Sequence, residues 1–279
     1  MKNTILMISF MYVNLFYSQI NLNIYKNSET ISYPISEIDS SYFDLNNNLK
    51  KVVLIDGTTE NHSIADIIYV NFSQPSFPTG TVYCNNIPTT IVDVINPVTG
   101  KTWMDRNLGA SQAATSTNNF SAYGDLYQWG RFSDGHQCRN SPTTSTLSSS
   151  DQPGHGNFIT TASNWRSPSN NNLWQGLNGV NNPCPSGYNL PTYFEFSAEI
   201  QSWSSNNSAG AFASPLKLPV AGYRDLGFGS LINVSTAGYY WTSTTSGSSF
   251  STRMSFSSSG TTAFSTARAS GSSIRCIKN

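Results

Sequence analysis

Charge is scarce in this chain. Only 11% of its 279 residues are Asp, Glu, Lys or Arg, and 15 basic residues balance 15 acidic ones. A chain so balanced exerts no general pull on nucleic acid or anionic lipid, and neither is an expected partner. Histidine is rarer still: His62, His136 and His155 are scattered. No G-x-S-x-G or H-E-x-x-H motif occurs, and no Ser, abundant as Ser is, has a recognisable base beside it. Gly100-Lys101-Thr102 has the tail of a phosphate-binding loop, but Ile95 stands where its first glycine would be, and Trp103 begins a strand rather than a helix. No cofactor is expected. Long apolar runs are missing after Tyr17, so no later segment would hold the chain in a membrane.

The one apolar run is short. Lys2 supplies a positive charge, Ile5 to Tyr17 is apolar except for Ser9 and Asn14, and a polar, alternating segment follows Ser18-Gln19. That order and length describe a signal peptide over residues 1–19. The expected destination is secretion or the cell surface, with the periplasm as the remaining compartment. Export gives meaning to the four cysteines, Cys84, Cys138, Cys184 and Cys276: an even set in an oxidising compartment implies two disulfides, in any of three pairings. A metal site competes for them, because Asp134, His136 and Cys138 stand close together with His155 further on. No C-x-x-C or H-x-x-x-H pair supports it.

What the chain has in quantity is aromatic surface, 13% Phe, Trp and Tyr, enough to fill a substantial core. It also has a repeat. Residues Ile24 to Phe43 align without a gap on Val53 to Phe72 at an offset of 29 (Ile64 minus Ile35). Each copy reads strand, turn, strand, polar step, strand, with Asn27-Ser28 and Asp56-Gly57 at the first turn. Ile35, Ile38 and Phe43 match Ile64, Ile67 and Phe72 as the expected buried set. Two copies are too few for a solenoid, so residues 20–73 are expected as a small β-rich unit. Residues 74–83, with Pro75, Pro78 and Gly80, read as a linker, and 84–279 as the main body. There, Thr192 and Glu195 form a capping box, and Tyr193, Phe196, Ile200 and Trp203 follow at helical spacing on one face. Glu199 lies one turn beyond Glu195; capping and solvent exposure account for the pair better than catalysis. In the final strand, alternation sets Ile274 and Cys276 on one face and Arg275 on the other.

Six segments of the body, in order, resemble the motifs of a known family. They are Thr102-Trp103-Met104-Asp105-Arg106-Asn107-Leu108-Gly109, Tyr123-Gly124-Asp125-Leu126-Tyr127-Gln128-Trp129-Gly130-Arg131, Cys184-Pro185-Ser186-Gly187-Tyr188-Asn189-Leu190-Pro191-Thr192, Pro219-Val220-Ala221-Gly222-Tyr223-Arg224-Asp225, Gly238-Tyr239-Tyr240-Trp241-Thr242-Ser243 and Ile274-Arg275-Cys276-Ile277. Together they are similar to the Fibrobacter succinogenes major paralogous domain family; Tyr188 and Asn189 depart from its commoner Trp and Arg or His. The resemblance implies an α+β fold, a C-type-lectin-like module with small antiparallel sheets, few helices and long loops, in the branch that includes formylglycine-generating enzymes. It also implies the disulfide Cys184–Cys276, and with it Cys84–Cys138. The paired catalytic cysteines of those enzymes have no counterpart here. The calcium-binding triplet of sugar-binding lectins is also missing, since Gln152-Pro153 continues into Gly154.

The expected function is therefore non-catalytic: an exported binding or cell-surface interaction module whose partner is a glycan or a cell-surface protein. The candidate ligand residues are Trp165, Trp174, Tyr223, Arg224 and Asp225, all in loop-like segments, where rings stack on sugar faces and Arg and Asp bind hydroxyls. Trp103, Trp129 and Trp241 are expected in the core. The alternatives are an enzyme on the formylglycine-generating scaffold and a display protein with variable loops.

Overall fold

A computed structural model describes residues 21–73 and 75–278, so the expected signal peptide lies outside the described residues. The chain divides into two compact units at Pro75/Ser76. Small antiparallel sheets predominate, with two short helices, a β-rich α+β class.

The first unit is the repeat. Strands β1 (Asn21–Lys26), β2 (Thr30–Pro34) and β3 (Ile38–Asp44) recur as β4 (Leu49–Leu54), β5 (Thr59–Ser63) and β6 (Ile67–Ser73), and a 3₁₀ turn precedes the third strand of each copy. The copies exchange their third strands: the sheets are β2-β1-β6 and β3-β4-β5. Register corrects the gap-free alignment. Leu22 faces Phe72 and Lys50 faces Phe43, so the first strands correspond at an offset of 28, while the later elements keep 29. The second hairpin turn holds the extra residue, with Gly57 at φ +88°. A one-residue slip would turn each strand inside out. Burial selects the register instead: Ile24 and its counterpart Val52 are both fully buried, and Leu22 and its counterpart Lys50 are buried too. Tyr33 and His62, equivalent positions, meet each other at 2.7 Å, as expected where a pseudo-two-fold axis passes. Phe43, expected inside, is half exposed and receives the Lys50 ammonium over its ring; Ile38 and Ile67 pack on the core as expected.

The second unit begins earlier than the sequence suggests. Residues 76–83 are part of it rather than a linker: Phe77 packs on the main core, Val82 N–H donates to Ser133 O, and Gln137 Nε2 donates to Val82 O. A four-stranded sheet, β7 (Asp93–Ile95), β8 (Thr102–Met104), β12 (Tyr188–Asn189) and β19 (Ile277–Lys278), runs in the order β12-β19-β8-β7. A second, in the order β14-β13-β18-β9, joins β9 (Tyr127–Gln128), β13 (Tyr223–Arg224), β14 (Leu231–Ile232) and β18 (Gly271–Ser272). The long strands β15 (Ala237–Ser246), β16 (Phe250–Ser257) and β17 (Gly260–Ala267) form a meander, and β10 (Thr143–Thr144) pairs in parallel with β11 (Phe158–Ile159).

Strand alternation divides the interior in two. Met104, Trp241 and Cys276 enter one core with Trp129, Trp174 and Tyr188; their neighbours Trp103, Tyr240 and Ile277 enter the other. Helix α1 (Tyr193–Gln201) closes the second core with Phe196, Tyr193 and Ile200, followed by Trp203. Its capping box is complete: Thr192 N–H donates to Glu195 Oε2 at 2.8 Å and Glu195 N–H to Thr192 Oγ1 at 3.2 Å. Glu199, expected at the surface, is buried, where it accepts from Asn96 Nδ2 and Trp203 Nε1. A second helix, α2 (Ser208–Ala213), is capped by Asn207. Cys184–Cys276 and Cys84–Cys138 are both joined, so the first bond ties the third motif to the last. No helix among the described residues is long and apolar enough to cross a membrane.

Candidate functional site

The loop residues proposed to meet a ligand separate into interior and surface groups. Trp165 and Trp174 are corrected to the interior, at 1% and 0% exposure. Their indole N–H groups donate to Trp129 O and Asn181 O at 2.7 and 2.9 Å, and the Trp174 ring lies 5.5 Å from that of Trp129. The reason is local. The long segment 141–182 is rich in Ser, Thr, Asn and Gly, and its few large apolar groups are what anchor it to the body. Arg224 is buried too. Its guanidinium donates to Gly229 O, Cys138 O, Ser141 Oγ and Ser141 O, and it stacks 4.3 Å over Phe158. Asp225 is partly exposed, but its carboxylate accepts from the N–H groups of Gly227, Phe228 and Ser230 and so fixes the turn into β14. Those backbone donors outweigh the effect of burial and lower its pKa. Asp134, His136 and Cys138, the competing metal set, are committed elsewhere. Cys138 is in a disulfide, and His136 bonds Asp134 at 2.7 Å while its Nε2 accepts from Gln128 N–H. Burial lowers the His136 pKa to about 4, which keeps the ring neutral.

Tyr223 remains at the surface, half-buried, and the structure gives it partners that sequence reasoning missed. Its ring meets Tyr239 edge to face at 4.8 Å. Arg253 lies beneath both rings and beneath Phe264, at 4.8, 4.6 and 4.8 Å from the three ring centroids. Register places them together. Arg253 faces Trp241 on one side and Phe264 on the other, while Tyr239, Ser255 and Thr262 form a neighbouring row on the same face. Toward the Trp241 end this face is covered by the body. Toward Ala237 it opens into a groove of about 230 Å³ whose walls include Tyr239, Ser255, Ser257, Thr261 and Thr262. The hydroxyl of Tyr239 accepts from Asn233 Nδ2 at 2.7 Å, which leaves its own hydrogen free to donate. The available signal was alternation: an Arg in a run of Ser, Thr and Met with no acid nearby in sequence.

A second feature lies within the second motif. Asp125 is 6% exposed and has no hydrogen-bond partner for its carboxylate among the described residues. It lines a pocket with Phe77, Tyr83, Cys84, Thr89 and Tyr127, with about 10 Å³ of free space, room for one water-sized group. Gly109 makes room for it. At φ +79°, a side-chain carbon there would sit 2.2 Å from Asp125 Cγ. Burial raises the Asp125 pKa to about 7, and the nearby Arg139 only partly opposes it. The Arg139 guanidinium donates to Gly124 O and Ala221 O, and its Nη1 has no partner.

Comparison with family models, with curated proteins and with solved structures finds no match to this chain. The functional reading therefore rests on the residues and their geometry.

Proposed function

We propose that this protein is an exported, non-catalytic carbohydrate-binding module. Its body would be lectin-like and of the Fibrobacter succinogenes major paralogous domain type, capturing its ligand on the open face of the β15–β17 meander. The observation that carries the reading is a groove lined by the half-buried Tyr239 and a row of Ser and Thr residues, with the Tyr223 ring packed edge to face on Tyr239. Aromatic faces stack on the C–H faces of sugars and hydroxyls exchange hydrogen bonds with theirs; a rigid sheet holds both at little entropic cost. The family assignment is supported by how the six motifs meet in space. Trp103, Trp129, Tyr188, Trp241 and Cys276 are all core residues, and the third motif is bonded to the last by a disulfide. Export is supported by two disulfides and by the apolar N-terminal run.

The test is a glycan array probed with the full secreted chain, alongside Tyr239→Ala. Capture of a defined set of saccharides, weakened at least tenfold by the substitution, supports the proposal. Absence of capture, or capture indifferent to Tyr239→Ala, overturns it.

One observation favours an enzyme instead: Asp125, a secluded carboxylate whose pKa lies near 7, where a general acid or base works best. Turnover of any saccharide that disappears in Asp125→Asn while binding at the groove persists would establish that reading.

A further inference from the structure

The body contains several buried arginines, and all but one make a full set of contacts. Arg275 donates four hydrogen bonds, to Met104 O, Leu216 O and twice to Asn107 Oδ1. Arg268 donates five, to Phe250 O, Ser251 Oγ, Asn170 O, Asn171 Oδ1 and Gly247 O. Arg224 donates the four given above, and Arg131 reaches Asp134, Gln128, Asn157 O and His155 O. Apart from the ion pair of Arg131 with Asp134, these side chains cross-link loops through carbonyl, amide and hydroxyl oxygens in place of carboxylates.

Arg253 does not fit that pattern. It is 5% exposed, yet it makes one hydrogen bond, to Ser272 Oγ at 3.3 Å. Its Nε is buried without a partner, and its Nη2 has no hydrogen bond but is not enclosed. No acidic side chain pairs with it among the described residues, and the groups that bear on its charge are the phenols of Tyr223 and Tyr239. A guanidinium presents five N–H donors in a planar fork, and leaving several unused away from water is costly. Three rings offset part of that cost by cation–π attraction. They supply no acceptor for the remaining N–H groups. The arrangement is a desolvated positive charge with unused donors, set beneath Tyr239, whose ring also lines the neighbouring hydroxyl-rich groove.

We propose that the ligand of this groove is an acidic saccharide, and that the carboxylate of a uronic or sialic acid residue pairs with the guanidinium of Arg253 while the sugar ring lies against Tyr223 and Tyr239. This proposal rests on the carbohydrate reading and narrows it. A carboxylate meets a guanidinium edge with two oxygens, as a sulfate or phosphate also does, and the dextran sulfate arm below separates the two classes. The rings exclude water around the pair, so the charge contributes more than it would on an open surface.

The experiment needs no variant for its first arm. The secreted chain is titrated calorimetrically with oligogalacturonate, hyaluronan fragments and sialyllactose, each compared with its methyl ester, and with dextran sulfate compared with dextran. The expected result is at least tenfold tighter binding of one acid than of its ester, with affinity falling as salt rises. In the second arm Arg253→Gln removes the acid–ester difference and Arg253→Lys restores only part of it, with near-ultraviolet circular dichroism reporting that each variant is folded. Equal binding of acid and ester overturns the charge assignment and leaves the carbohydrate reading intact. Binding of dextran sulfate without any of the carboxylates overturns the choice of carboxylate. Failure to bind any saccharide, charged or neutral, overturns both.

Discussion

The two units solve the same problem with opposite means. Residues 21–73 stabilise a small β unit by symmetry. Two copies of one motif lend each other a strand, and the buried core is little more than Leu22, Ile24 and Val52 with partners on their flanks. The central strands β1 and β4 there are paired on both sides, so neighbouring strands satisfy their backbone groups. The body, residues 76–279, has long stretches outside regular structure, and its carbonyl groups need other donors. It draws them from buried arginines and from indole N–H groups: Trp129, Trp165, Trp174 and Trp241 all donate to backbone oxygens. The distribution of charge follows. Residues 20–83 contain three Lys and no Arg, whereas 84–279 contain eight Arg, most of them inside. A chain with little charge spends its cations indoors, where loops need to be fastened.

The sharpest way to break this contrast is to cut what only one unit has. Cys184 and Cys276 close a loop of 92 residues, and replacing both by Ser is expected to destabilise the body by about 4–5 kcal/mol. The first unit contains no cysteine and keeps its transition. Calorimetry of the oxidised and doubly substituted chains would read this. A loss of both transitions together would show that the units are not thermodynamically separate.

Asp125 has no analogue in the repeat and gives the next largest effect. Its folded pKa of about 7 lies above the ordinary carboxylate value of 3.8, so between roughly pH 4 and 7 the folded state binds more protons than the unfolded one. Stability therefore falls as pH rises through that window, and the penalty is fully present above it. Asp125→Asn removes the penalty. Denaturant titrations should show a gain of up to about 4 kcal/mol at pH 8 that fades toward pH 4. A variant equally stable relative to wild type at both pH values would show that the carboxylate is not secluded.

The claim that arginines fasten loops is tested at Arg268, which stacks 4.2 Å over Trp129 and whose pKa burial lowers to about 10. Arg268→Met keeps the stem and removes five donors. The unpaired acceptors of residues 170, 171, 247, 250 and 251 then cost about 2–3 kcal/mol, read as a lower denaturation midpoint of the body alone. Hydrogen exchange should rise first in the segment around Asn170.

Much of this was legible beforehand where a local rule applied. The helix at 193–201 was visible because Thr192 and Glu195 write a cap and the apolar residues keep its period. The third strands of the repeat were visible because two copies restate each other. The expectation for Trp165 and Trp174 failed because their neighbours are polar, and sequence shows what precedes and follows a ring but not what lies above it. Arg253 was missed for the same reason. Its partners come from β13, β15 and β17, and none is within ten residues of it. Asp125 stood in a quoted motif, but its seclusion depends on Gly109 and on Phe77, from a segment that reads as linker.

The repeat gives the smallest effect and the finest test of register. A gap-free alignment makes Phe43 a core residue, and its truncation would then cost about 3–5 kcal/mol. The structure instead leaves it 50% exposed, with Lys50 over its ring at 4.5 Å. Phe43→Ala is thus expected to cost under about 1 kcal/mol, the scale of an exposed cation–π contact. Val52→Ala, at the position equivalent to Ile24, should cost about 2 kcal/mol because its side chain is fully enclosed. The order of the two effects decides which offset the first strands obey. If Phe43→Ala proved the more damaging, strand β4 would have slipped by one residue, Lys50 would face solvent, and the pseudo-two-fold pairing of Tyr33 with His62 would have to be abandoned.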